Sequence, residues 1–293
     1  MNAIKLVVPI VVVITAVTTM NGQQAYVDAR PHEIMGNIER TAKVIDYRTA
    51  SGSTKIDFRG TSLLPDARGE ATIQRKLDHI QINAEFAALQ SATRFGPEYL
   101  TYVLWAITPE GSATNLGEVV RNGANSKSDI TTEHFLFGLI VTAEPYFAVS
   151  QPSEIVVMEN VFTKGWTGNE PADANYELLP CGSYTRNVSR SQLKRIVVEP
   201  STPLDLYEAR NALWIALWAG AEKDAAELFS RAERSLQRAE AFHASRAGAT
   251  SVLTAAREAV RMAENARVLA LKRRSDALSQ EDSVGVDRQS VRN

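Results

Sequence analysis

The segment Pro200-Ser-Thr-Pro203 divides the chain into two parts that cannot share one secondary structure. Proline fixes φ and removes a backbone donor, so neither a central strand nor a helix interior runs through it. Before it, apolar and polar residues alternate in short runs separated by Gly, Pro, Asn and Ser. After it, from Asp205 to about Gln280, Ala, Arg, Glu and Leu recur at spacings of three and four, the period of helices packed on one face. The expected fold is α+β: an N-terminal antiparallel β-sandwich-like domain followed by a C-terminal antiparallel three-helix bundle. The expected division is 1–25 signal peptide, 26–200 β-sandwich-like domain, 201–280 Ala-rich helical domain and 281–293 disordered tail.

A chain of 293 residues can bury a sizeable core in one or two domains. Its formal net charge of -2 argues against a nucleic-acid partner, which a basic face would advertise. The N-terminus has the pattern of an export signal. Lys5 supplies the positive start, and Leu6–Val17 is apolar, too short for the roughly 20 residues that span a bilayer. Cleavage is expected after Gly22 or Ala25, with an uncleaved N-terminal anchor as the alternative. No cysteine follows the apolar run, so lipid modification at a new N-terminus is not expected. Cys181 is the only cysteine, which leaves burial or pairing with another chain.

In the β-type region, Lys43–Arg48 and Thr54–Arg59 alternate, as do Gly69–Leu77 and His79–Phe86. Alternation of this kind marks a sheet with one buried face. Tyr99–Ile107 (YLTYVLWAI) is apolar throughout and flanked by Gly96-Pro97 and Pro109-Glu-Gly111, which suits a central strand entering a turn. Asn115–Arg121 is the expected return strand, followed by Glu133–Thr142 and Glu154–Val161. Gly165–Pro180 is turn-rich and expected to be an exposed loop, and Ile196–Val198 a short strand. The stretch YVLWAITPEGSATNLGEV, through Tyr102, Leu104, Trp105, Pro109, Gly111, Leu116 and Gly117, resembles a strand–turn–strand of the extracytoplasmic domains of anti-sigma-K-type factors. That resemblance covers some twenty residues. It implies a β-sandwich in the cell envelope; sigma-factor binding is not expected to carry over.

In the helical region Asp205 is the expected cap of helix one (Leu206–Ala219), which Gly220 ends. Asp224 is expected to cap helix two, with Ala225, Phe229, Ala232, Leu236 and Ala239 on one face. Helix three opens near Gly248 and repeats Ala256, Ala259, Ala263, Ala266 and Ala270. Small side chains let helix axes approach closely. Leu213, Leu217, Phe229, Leu236, Ala259, Ala263 and Ala266 are expected to face inward, with Trp214 and Trp218 in the core. The alternative is a lone helical rod that self-associates. Ala209-Arg210, Ala212-Leu213, Ala219-Gly-Ala221, Glu227-Leu228 and Ala256-Arg257 with Ala263-Glu264 are similar to the Ala-rich helical domain of OmpA-family envelope proteins. The peptidoglycan-binding module that follows it in that family has no counterpart after Arg274, so its cell-wall contact is not expected here.

Chemistry-bearing motifs are sparse. His32, His79, His134 and His243 share no metal-ligand spacing, and no P-loop, nucleotide-binding glycine pattern or nucleophile elbow occurs. No catalytic residue, cofactor or metal is expected. Trp166 and Tyr176, within the aromatic-bearing loop, are the candidate ligand contacts. The expected function is a non-enzymatic structural or interaction protein of the cell envelope, periplasmic or outer-membrane-associated. Its expected partner is an envelope protein or cell-wall component, with homo-oligomers through the helices possible. A periplasmic module binding glycan or lipid is the alternative.

Overall fold

A computed structural model of the chain describes residues 38–49, 52–122, 125–162, 169–186, 188, 196–199 and 201–290; the side chains of 121, 122, 125 and 281–290 are not described. The export-like segment and Trp166 lie outside these residues. The fold is α+β: a large, nearly closed antiparallel sheet followed by three long helices.

The strands are β1 (Ile38–Asp46), β2 (Ser53–Gly60), β3 (Arg68–Arg75), β4 (Ile80–Ala87), β5 (Thr101–Ile107) and β6 (Ala113–Glu118). They continue with β7 (Val120–Asn122), β8 (Asn125–Thr132), β9 (Leu136–Glu144), β10 (Val156–Val161) and β11 (Ala172–Leu178). The helices are α1 (Leu204–Trp218), the single turn α2 (Ala221–Asp224), α3 (Ala226–Ala244) and α4 (Ala249–Ser290).

The alternating segments behave as period-two patterning requires. Ile56 pairs with Ala71, Ala71 with Ala84, and Ile73 with Ile82, so apolar residues of β2, β3 and β4 share one face. That face closes over Tyr102, Leu104 and Ala106 of β5 and Leu139, Val141 and Ala143 of β9 in a single core. The sheet nearly closes where Ser128 Oγ of β8 donates to the Glu118 carbonyl of β6 at 3.3 Å.

Strand β5 is buried at every position, and its two faces explain why. Alternate residues Val103, Trp105 and Ile107 turn away from the sheet interior and enter a second core. That core contains Ile140 of β9, Val44 of β1, Tyr176 of β11 and the apolar faces of the helices. A strand covered on both sides reads as a continuous apolar run. The boundary at 200/201 therefore separates kinds of element and not cores. Residues 36–293 belong to one compact unit.

Several expectations are corrected. The expected loop 165–180 contains β11, which pairs with β1 from Ile38–Leu178 to Val44–Ala172; alternate Ala174, Tyr176 and Leu178 supply its buried face. Residues 196–199 form no strand. Asp205 is not the N-cap of α1: Pro203 holds that position with no side-chain cap, and the Asp205 carboxylate turns to Arg257. Asp224 ends α2 and pairs with Arg274 across to α4. Cys181 is exposed. Helix α4 runs to Ser290, into the segment expected to be a disordered tail. Residues 275–284 contain neither proline nor glycine, the two residues that most strongly break a helix.

Helix α4 runs beside α3, joined to it by Arg238–Glu258 and to α2 by Asp224–Arg274. Ala259, Ala263 and Ala266 are fully buried and Phe229 nearly so; Leu213, Leu217 and Leu236 pack partly buried against the same core. Trp214 is not a core residue. It is 56% exposed and stacks on Trp218 with ring centroids 6.3 Å apart. Among the described residues, no helix is long and apolar enough to cross a membrane.

Candidate functional site

Where the helices meet the segments just before β5 and just after β9, three fully or nearly buried carboxylates, Glu144, Glu264 and Glu208, stand out. Their surroundings differ, and the differences separate structure from function.

Glu144 ends β9. Its Oε1 accepts from Thr142 Oγ1 at 2.6 Å and from the Ser153 amide at 2.7 Å, and its Oε2 from the Tyr184 hydroxyl at 3.2 Å. Burial pushes this carboxyl up to about 8, although each of those donors favours the charged form.

Glu264 projects from α4 into the loop after β9. It accepts from Tyr146 Oη at 2.7 Å and from the Ser150 amide at 2.9 Å. Arg267, one turn on, contributes Nε at 2.7 Å and Nη2 at 2.8 Å. Burial alone would raise this carboxyl; Arg267 and the other donors outweigh it and hold it below its ordinary value. Both carboxylates are satisfied, and both read as structural fastenings.

Glu208 is different. It lies in the first half of α1, is 0% exposed, and neither of its oxygens has a hydrogen-bond partner among the described residues. Burial and the neighbouring Glu118 carboxylate raise it well above an ordinary glutamate. One helical turn earlier, Asp205 brings a second carboxylate to the same face. Glu118, at the end of β6, brings a third. One oxygen from each of the three lies within 4.8 Å of the others.

Arg257 of α4 enters beside this group. Its Nε donates to Asp205 Oδ1 at 2.8 Å and its Nη2 to Glu118 Oε2, while its guanidinium lies 4.4 Å from the Phe147 ring centroid. Burial works against the charged guanidinium, but Glu118 and Asp205 outweigh it and raise its pKa. Asp205 is raised all the same, because its own burial outweighs the attraction of Arg257. Thr101 Oγ1 donates to the remaining Glu118 oxygen at 2.8 Å.

A cavity of about 370 Å³ opens onto this group, bounded by Leu100, Tyr102, Val119, Val120 and Leu204 as well as Glu118, Asp205 and Arg257. A concave, largely apolar space with a few convergent charged groups is the usual form of a ligand site. This is the candidate functional site.

The structure does not bring Tyr176 to this site. Tyr176 is 1% exposed and sits in the second core on β11, so it offers no open aromatic face; its hydroxyl has no partner among the described residues. Trp166 lies outside the described residues. His134 and His79 make local contacts, to Thr114 Oγ1 at 2.9 Å and to Asp78 at 2.7 Å. The residues that do converge were invisible as a motif, since Arg257 lies 139 positions from Glu118 and 52 from Asp205. The one local signal was the pair Asp205 and Glu208, two acids a turn apart on a helix otherwise apolar nearly all round. No protein-family model, curated protein or solved structure matches the chain.

Proposed function

We propose that this chain is a non-enzymatic structural or interaction protein of the cell envelope, engaging its partner through the part of α4 that leaves the helical region. The observation that carries this reading is the length of that helix. It holds 42 residues against 19 in α3 and 15 in α1. At about 1.5 Å per residue it is about twice as long as the helix beside it. The Asp224–Arg274 pair joins it to α2, and all of 271–280 is exposed, with Leu271 and Leu278 two turns apart. Apolar residues at that spacing on an exposed helix suit a helical or groove-shaped partner. The reading takes the sheet as a sandwich-like body and α1, α3 and α4 as an antiparallel three-helix bundle; contacts between each pair of these helices support the second. It also takes in the export-like N-terminus and the resemblance of the helical tract to OmpA-family envelope proteins.

The test uses the full chain with its N-terminal segment, expressed in a bacterial host and fractionated. Recovery with the envelope, reduced at least several-fold by Leu271→Glu with Leu278→Glu while the thermal melt is unchanged, supports the proposal. Recovery in the cytoplasm, or equal partition of both proteins, overturns it. A second reading, a module that binds a glycan or lipid, is favoured by the apolar cavity beside Glu118. It requires a saturable thermal shift with such a ligand, abolished by filling the space through Val120→Trp at an exposed position on the cavity wall.

A further inference from the structure

We propose that Glu118, Asp205 and Glu208 form a binding site for one hard divalent cation, Ca2+ or Mg2+, which fastens the start of α1 to the end of β6. The inference stands apart from the surface proposed on α4 and does not depend on it.

Three observations carry it. The first is geometry: one oxygen from each carboxylate lies within 4.8 Å of the other two. A single ion about 2.3–2.6 Å from each ligand can bridge oxygens at that separation. The second is Glu208 itself. A buried carboxylate is ordinarily paired or hydrogen-bonded, because stripping its water costs several kcal/mol. Glu144 and Glu264 obey that rule on the same interface, and Glu208 does not: no donor among the described residues reaches its oxygens, and its near neighbour is a second acid, Glu118. The third is charge: Arg257 can answer only one of the three carboxyl groups, and a divalent ion matches the other two, its binding expelling the proton that burial holds on Glu208.

The donor set selects the class of ion. All the ligands are carboxylate oxygens, with neither imidazole nor thiolate among them, which suits hard cations and disfavours zinc or copper. The adjoining cavity borders Glu118 and Asp205, giving a hydrated ion a way in and room to keep some of its water. Arg257 already binds one oxygen each of Glu118 and Asp205. It orients those groups and also repels a second cation, so the site should be weak, with dissociation constants on the order of 0.1–1 mM.

The test uses the full chain stripped with EDTA and dialysed, then titrated separately with CaCl2 and MgCl2 at matched ionic strength. Isothermal calorimetry and thermal melting are both read. A saturable heat with near one ion per chain, and a melting temperature that rises over the same concentrations, are expected for at least one of the two salts. Glu208→Gln, which keeps the shape and removes the charge, should weaken binding at least tenfold; Asp205→Asn is the second variant should the first not fold. Arg257→Gln should tighten it several-fold by removing the repulsion. Glu70→Gln, in β3 on the far side of the sheet, should leave it unchanged. No saturable heat and no thermal shift with either salt overturns the proposal, as does an equal response from wild type, Glu208→Gln and Asp205→Asn.

Discussion

The hydroxyl of Tyr146 donates to Glu264 Oε2 at 2.7 Å across 118 positions of sequence. This bond and the neighbouring one from the Ser150 amide tie α4 to the loop after β9. Glu264→Ala removes the acceptor and leaves Arg267 buried with its charge unanswered. The expected cost is about 3–5 kcal/mol, read as a lower urea midpoint. Replacing both residues by Leu should cost much less, because the uncompensated charge disappears with its partner.

The raised pKa of Glu144 makes stability depend on pH. The ordinary glutamate value is 4.5 and the folded value about 8, so over that interval the folded protein holds a proton that the unfolded chain has released. The stabilisation is complete below about pH 4.5 and is lost as pH climbs to about 8, at no more than about 1.4 kcal/mol per pH unit. Glu264, held below its ordinary value, acts in the other direction: its contribution is present above about 4.5 and fades as pH falls through its own pKa. The melting temperature should therefore peak in mildly acidic solution. Glu144→Gln should make the decline towards pH 8 less steep, as followed by circular dichroism.

Ala263 tests the closeness of the helix packing. It is fully buried in the second core, so Ala263→Phe should cost about 1–3 kcal/mol by overpacking. The same change at exposed Ala277, farther along the same helix, should stay within about 0.5 kcal/mol. Equal responses in parallel denaturation curves would rule out a close-packed seam.

Gly138 tests the crossing of β1 and β9. A Cβ built there would lie 2.3 Å from the Lys43 carbonyl oxygen, a backbone atom with no rotamer to yield, next to the point where Phe137 pairs with Ile45. Gly138→Ala should destabilise by about 1–3 kcal/mol. Gly52→Ala is an informative contrast: among the described residues no atom beyond its chain neighbours lies within 4 Å of a Cβ built there, and its φ of +80° sets the penalty, about 1 kcal/mol. Both are read from urea midpoints.

What could be read from the chain follows the range of the forces involved. Strands β2, β3 and β4 were legible because each carries its own alternation, and β5 because two covered faces leave no polar position. The long helices were legible from their spacing of three and four. Strand β11 was missed although Ala174, Tyr176 and Leu178 alternate, because Asp173, Asn175 and the nearby Pro171 and Pro180 look like turn chemistry. Its partner β1 lies at the other end of the sheet region, and pairing over that distance leaves no local trace. Asp205 and Asp224 read as caps for a related reason. An acid at a helix start satisfies the local rule, while the arginines that claim these two, Arg257 and Arg274, come from α4. The candidate site suffers most, since it exists only once β6, α1 and α4 meet.

Strand β5 belongs to two interiors at once, and this limits how the gene can be cut. A fragment ending before Pro203 would lose the helical part of the core that Trp105, Val103 and Ile107 enter, and the complementary fragment would expose alanine faces buried in that core. Neither piece would be a usable module, and each would be prone to clump. Melting should accordingly occur in one step, and recombination between relatives should favour crossovers that keep both halves together.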